Sequence, residues 1–230
     1  MHSQPCLAAC LLSTVLAATT ATRSTAQEKL ASDKLEEGFV SLFDGKTLAG
    51  WEGNKKIFRV REGAIVGGST KDKIEHNEFL CTMKKYGDFE LRLEARLLGE
   101  GRNAGIQFRS ERIPNHHEVK GFQCDIGEMG ANPGRVIWGA LYDESRRRKF
   151  LVEPDQQKLR SVVKVDGWNK FVIRCQGPRI QIWVNGLAAI DYREQEEGIA
   201  ATGIIGLQIH GGPPAEASYR RIRIKTLSDK

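Results

Sequence analysis

The chain of 230 residues is 40% hydrophobic and 28% charged, which fits one globular domain with a real core and excludes a disordered or fibrous chain. Its formal charge of +6 is spread along the sequence, apart from residues 146–149 and the Arg220/Arg221/Arg223/Lys225 group. That spread fits solubility better than a nucleic-acid surface, so no nucleic-acid partner is expected.

Residues 6–18 are apolar and uncharged, and Ser24-Thr25-Ala26 offers small residues for cleavage. This predicts a signal peptide over 1–26, and with it a periplasmic or extracellular location. A lipoprotein signal at Cys10 fits less well, because the apolar stretch follows that cysteine instead of preceding it. No later apolar run is long enough to span a bilayer, so no integral membrane segment is expected after cleavage. Residues 27–37 are charged without an apolar face and read as a flexible leader, leaving 38–230 as the domain. Three cysteines remain in it: Cys81, Cys124 and Cys175. They are too few for a disulfide framework and read as small buried strand residues, with one bridge left open.

From Gly38 onward the dominant hydrophobic period is two. Strands are predicted over 57–60, 64–66 and 79–82, then over 89–97, where apolar and charged residues alternate without a break. Further strands are predicted over 104–109, 122–126, 136–139, 168–175, 179–184, 187–192, 203–210 and 219–225. Asn185-Gly186 separates two of them and marks a tight hairpin, since both residues tolerate positive φ. At most one helical turn is predicted, over 154–158. Many short strands without a βαβ rhythm predict an all-β antiparallel sandwich or jelly roll.

Residues two apart on a strand share a face. Three strands then carry paired polar groups opposite apolar ones: Gln107 with Arg109, Gln123 with Asp125, and Gln208 with His210. Amides, a guanidinium, a carboxylate and an imidazole are suited to sugar hydroxyls, although solvated strand faces would show the same alternation. A second cluster runs from Trp138 through Tyr142, Asp143, Glu144 and Arg146. Trp138 and Tyr142 could stack on a sugar ring or fill the core. On a strand Asp143 and Glu144 point apart, whereas in a loop both reach one site. His116-His117 with Glu118 is a weak metal signal, lacking the i, i+2 or i, i+4 spacing of a ligand pair.

These motifs together resemble one family. The opening Gly38-Phe39-Val40-Ser41-Leu42-Phe43-Asp44-Gly45, the later Tyr86-Gly87-Asp88-Phe89-Glu90-Leu91, and Asn103-Ala104-Gly105-Ile106-Gln107-Phe108-Arg109 are similar to 3-keto-disaccharide hydrolases. Gly167-Trp168-Asn169, Asn185-Gly186 and Gly206-Leu207-Gln208-Ile209-His210-Gly211 continue the match across residues 38–227. The resemblance implies a concanavalin A-like jelly-roll sandwich of two antiparallel sheets, one of them concave and sugar-binding. It also implies cleavage of a 3-keto-glycoside by removal of the C2 proton, C1–O elimination and hydration. Where many members read Glu-x-Gln in the middle strand, this chain reads Gln123-Cys124-Asp125, which points to a subgroup.

Under that implication Arg109 is the expected enolate clamp, His210 or Asp125 the base, and Glu144 the acid. Gln107, Gln123, Gln208, Trp138, Tyr142 and Asp143 would position the oligosaccharide or glycoside substrate, with Arg146 steadying the loop carboxylates. No cofactor is required, and a divalent metal stays open as the electrophile. A non-catalytic carbohydrate-binding module and an ordinary glycoside hydrolase are the alternatives. The Glu-x-Asp-x-Glu strand of laminarinase-type enzymes is absent, which weighs against the second.

Overall fold

The computed structural model describes residues 36–128 and 135–228. The expected signal peptide lies outside the described residues. The chain divides into Met1–Glu37 and Gly38–Lys230, and the described strands all belong to the second unit.

That unit is a concanavalin A-like jelly-roll sandwich of two antiparallel sheets. The strands in chain order are β1 (Val40–Ser41), β2 (Trp51–Glu52), β3 (Phe58–Arg61), β4 (Ala64–Ser69), β5 (Glu78–Tyr86), β6 (Phe89–Gly99), β7 (Asn103–Arg112) and β8 (Val119–Gly127). They continue as β9 (Leu141–Glu144), β10 (Phe150–Val152), β11 (Asn169–Gln176), β12 (Arg179–Val184), β13 (Leu187–Arg193), β14 (Gly203–Ile209) and β15 (Ala215–Thr226). The first sheet runs β13-β12-β11-β6-β15-β4-β3, with β1 on β15; the second runs β10-β9-β8-β7-β14-β5-β2.

Alternation decides which side chains enter the core between the sheets. Leu91, Leu93 and Leu97 of β6 face it, as do Phe171 and Ile173 of β11. Ile106, Phe108, Phe122, Cys124 and Leu207 answer from the second sheet. Each such aliphatic or aromatic side chain contributes about 1.5–3 kcal/mol by leaving water. Tyr219 crosses from the first sheet, and its hydroxyl donates to Gln208 O at 2.6 Å, with Gly105 O at 3.2 Å. It ties the backbones of β7 and β14 together from behind.

Two expectations need correction. Residues 136–139 are not a strand: Val136 makes a single bridge to Glu128 and the chain then turns, with Gly139 at φ 80°. The strand that follows is β9, and it places Asp143 and Glu144 on opposite faces. The expected helical turn is a two-turn helix, α1 (Gln156–Val162). Asp155 caps it by accepting from the amides of Gln157 and Lys158, and Leu159 buries its inner face. The three cysteines are all buried and free.

Candidate functional site

The outer face of the second sheet carries an almost dry polar floor. Gln107 of β7 lies opposite Gln123 of β8, and Gly105 lies between Asp125 of β8 and Gln208 of β14. Gln107, Gln123, Asp125 and Gln208 are all buried. A directed chain satisfies them. Ser110 Oγ donates to Gln107 Oε1 at 2.9 Å, Gln107 Nε2 donates to Gln123 Oε1, and Gln123 Nε2 donates to Asp125 Oδ1. Each amide orientation is fixed by its neighbours, so the chain ends on one carboxyl oxygen.

Glycines make room for these side chains to lie along the sheet. A Cβ on Gly105 would meet Gln123 Cδ at 2.5 Å, and one on Gly121 would overlap Ser110 Oγ. One on Gly206 would meet Gln107 Cβ at 3.0 Å. With the intervening strands so bare, Glu144 of β9 reaches Gln208 of β14, whose Nε2 lies 3.4 Å from Glu144 Oε2. Tyr142 joins this face opposite Gln123, its ring edge-on to Phe150 at 5.1 Å. Gln208 Oε1 is buried without a hydrogen-bond partner among the described residues.

Burial pushes the Asp125 carboxyl up to about 8, against the pull of the Gln123 amide and with a further push from Glu144. Glu144 is likewise raised, by burial first and then by the charge of Glu118, against hydrogen bonds from Ser145 and Gln208. Burial also raises the Tyr142 phenol, helped by Glu144 and Asp125. Near neutral pH the Asp125 carboxyl of this floor therefore keeps its proton, and Glu144 is pushed in the same direction.

Arg109 does not belong to it. A β-bulge between Phe108 and Glu111, with Arg109 at φ 46°, breaks the alternation and puts Ser110 on the floor instead. The buried guanidinium donates to Gly87 O at 3.1 Å, Gly177 O at 2.7 Å and Asp88 Oδ1 at 2.7 Å. Each of its three nitrogens is occupied in stapling β7 to the β5–β6 turn that joins the two sheets and to the β11–β12 turn of the opposite sheet.

The second cluster is divided by β9. Asp143 points inward, fully buried, and accepts from Arg146 Nε at 2.9 Å and from Arg147 Nε. The two guanidiniums lie over the Phe122 ring at 4.7 and 5.9 Å. Trp138 is buried and stacked on Phe171 at 6.0 Å, so it packs the core and meets no sugar. Asp143, Arg146 and Trp138 are structural; of that cluster only Tyr142 and Glu144 face the floor.

His210 follows the end of β14, two residues beyond Gln208, with its amide donating to Asn103 O at 3.2 Å. Its Nδ1 lies 2.5 Å from Gly211 O. A carbonyl only accepts, so Nδ1 carries a proton, and in the neutral imidazole Nε2 then keeps the lone pair. The Gly211 amide donates to Asn77 Oδ1 at 3.0 Å, while Asn77 Nδ2 donates to Glu118 Oε1 at 3.3 Å.

Beyond the bulge the β7–β8 hairpin lies over this same face. Val119 is buried with Phe79, Cys81 and Ile204, in a cluster separate from the main core. Arg112 bonds Phe79 O at 2.8 Å, Glu52 Oε1 at 2.8 Å and His117 O at 3.2 Å. His117 stacks on His76 at 3.9 Å and on His116 at 4.3 Å. Among the described residues, no group of three His, Cys, Asp or Glu side chains is arranged to hold a metal ion.

Sequence reasoning overlooked Ser110, Ser145 and Asn77, and singled out Glu118 only as part of a weak metal signal. One signal was present in the sequence: Gly105, Gly121 and Gly206 each stand two residues before a floor glutamine.

Residues 38–225 match the 3-keto-alpha-glucoside-1,2-lyase-like domain. No curated protein matches the chain. A solved structure of a provisionally assigned glycosyl hydrolase from Parabacteroides distasonis is similar, with a TM-score of 0.62 at 18% identity, covering 85% of this chain and 99% of that one. The carbohydrate-binding module CBM66 from Bacillus subtilis gives 0.53 at 13% identity, over 77% and 96%. A Bacillus subtilis protein with a galectin-like fold gives 0.55 at 9%, over 80% and 92%. At these identities the likeness speaks for the fold alone.

Proposed function

The chain belongs to the 3-keto-alpha-glucoside-1,2-lyase-like domain family, and from that premise we propose that this carbohydrate-active protein cleaves 3-keto-glycosides by elimination and rehydration. The observation that carries the reading is a buried sheet face on which two carboxyl groups, Asp125 and Glu144, are held toward their protonated forms. An oxocarbenium route asks for a nucleophilic or base carboxylate beside its acid. Elimination instead asks for one base, one donor to the enolate oxygen and one acid for the leaving group.

The carbonyl at C3 acidifies the proton on C2. His210 Nε2 is the free lone pair beside the floor and takes that proton, while the C–H electron pair becomes the C2–C3 enolate. The enolate oxygen needs a donor, and Arg109 is occupied elsewhere. Protonated Asp125 supplies it, its other oxygen being fixed by Gln123. When the carbonyl re-forms, the C1–C2 double bond appears and the C1–O bond breaks. Glu144 then protonates the departing oxygen. Water adds back, its hydroxyl going to C1 and a proton to C2, so the net change is hydrolysis. Gln208 and Tyr142 hold sugar hydroxyls, and Gln107 holds Gln123 in place beneath them.

The deciding experiment incubates the protein in deuterated water with a 3-keto-disaccharide and, separately, with its unoxidised parent. Cleavage of the keto sugar alone, with deuterium at C2 of the product, is the expected result. Cleavage of the parent would make it a glycosidase. Binding without turnover would make it a binding module. Product that keeps its C2 hydrogen would overturn the elimination route.

A further inference from the structure

Glu144 touches a hydroxyl that it shares with a second carboxyl group. Ser145 Oγ lies 2.9 Å from Glu118 Oε2 and 3.2 Å from Glu144 Oε1. A serine hydroxyl has a single proton to donate. With both glutamates ionised, one of these contacts would set lone pair against lone pair. Both are satisfied once one carboxyl carries a proton and donates it to Ser145 Oγ, while the serine donates to the other.

Their surroundings decide which one. Glu118 is the anchored one: its Oε1 accepts from Asn77 Nδ2 at 3.3 Å and faces His117 Nε2 at 3.7 Å. Glu144 makes no ion pair among the described residues, and its Oε2 meets the Gln208 amide at 3.4 Å. The groups around it are Asp125 of β8, Gln208 of β14, and Tyr142 and Arg148 on its own hairpin. Glu118 and His117 approach from the β7–β8 hairpin, with His76 and Glu78 behind them. Of these, Glu118 alone is bridged to Glu144 by a shared hydroxyl.

We propose that Glu118 is a positioning residue which, acting through Ser145, keeps the proton on Glu144. The inference rests on the reading of Glu144 as the acid. It gives the β7–β8 hairpin a chemical purpose: it brings the Glu118 carboxyl, held by Asn77, against the serine that Glu144 shares. Since Asn77 also binds the Gly211 amide beside His210, one asparagine positions the acid and base sides of the face together.

The test has two arms. A carbon-detected NMR titration of the Glu144 carboxyl without substrate compares wild type with Glu118→Gln and Glu118→Ala. Ser145→Thr, which keeps a hydroxyl, is the conservative control. The Glu144 midpoint is expected to fall in both Glu118 variants and to stay near wild type in Ser145→Thr. Using two variants guards against a folding defect in one. In the second arm, the alkaline limb of kcat/KM on a 3-keto-disaccharide moves to lower pH in Glu118→Gln. On that limb the rate falls about tenfold for each unit the midpoint moves, while KM stays within about twofold. An unmoved Glu144 midpoint in both Glu118 variants would overturn the proposal. If the midpoint moves but wild-type protein turns over no keto sugar, the shared proton stands and the reaction assigned to it falls.

Discussion

Asparagine in place of Asp125 should change how stability depends on pH. In the folded protein the buried carboxyl titrates at about 8, against an ordinary 3.8. The raised value reverses the usual sign for an aspartate. Between about pH 4 and pH 8 the folded state binds a proton that the unfolded chain has lost, so rising pH favours unfolding. The slope is about 1.4 kcal/mol per pH unit, and across the window it amounts to roughly 6 kcal/mol, comparable with the whole net stability of many domains. The asparagine side chain has nearly the same shape, keeps an oxygen for the Gln123 amide and does not titrate. Urea unfolding of both proteins at pH 5, 6, 7 and 8 should therefore show Asp125→Asn gaining on wild type at every step, with the gain levelling off above pH 8. A stability difference that does not change with pH, or one in which wild type gains as pH rises, would refute the assignment of a raised carboxyl.

Three further changes separate the floor from its supports. Arg109→Ala leaves Asp88 and two carbonyls without their buried donor and should cost about 3–5 kcal/mol by denaturant unfolding. Full stability with a selective loss of kcat would restore Arg109 to the chemistry. Gly105→Ala drives a methyl into Gln123 Cδ and should cut kcat/KM about tenfold or more, with the thermal midpoint falling by only a few degrees. Unchanged kinetics would mean that the glutamine chain has no part in turnover. Cys81, Cys124 and Cys175 are free and buried, and burial raises all three thiols, Cys81 and Cys175 to about 12. They should react with an aromatic disulfide reagent only after unfolding; a fast-reacting thiol in native protein would contradict this.

Much of the fold could be read from alternation because each strand buries one face. The unbroken period of two in β6 identifies Leu91 and Leu93 as core, and Asn185-Gly186 marks the β12–β13 hairpin. The floor was legible for the same reason: Gln107, Gln123, Asp125 and Gln208 all lie on the side that their neighbours dictate. Extrapolation failed where the chain stops being regular. A bulge adds one residue to a strand, so counting on from Gln107 assigns Arg109 to the face that Ser110 occupies. In β9 the alternation itself was sound, but charge misled. Asp143 looks like a surface residue until Arg146 and Arg147 are seen to neutralise it inside. Ion pairs between a strand and its own hairpin turn leave no periodic trace.

Arg109 also shows why the floor depends on the whole sandwich. A positive φ at a non-glycine residue costs of order 1 kcal/mol or more. Three hydrogen bonds from the buried guanidinium, one of them to Asp88, offset that cost and hold the bend in place. Past the bend, Val119 lies on Phe79, Cys81 and Ile204, and Glu118 lies on Ser145. The positive charge that sequence alone would assign to an enolate is thus used to maintain a roof. Under the proposed reaction the enolate must then be met by neutral donors. A carboxyl held protonated by burial suits that task. Its proton is fixed in direction by the Gln123 amide on its other oxygen, and no free cation has to be desolvated in the floor. Burial that would be a liability for an ionised aspartate becomes the means of keeping a donor aimed where negative charge develops.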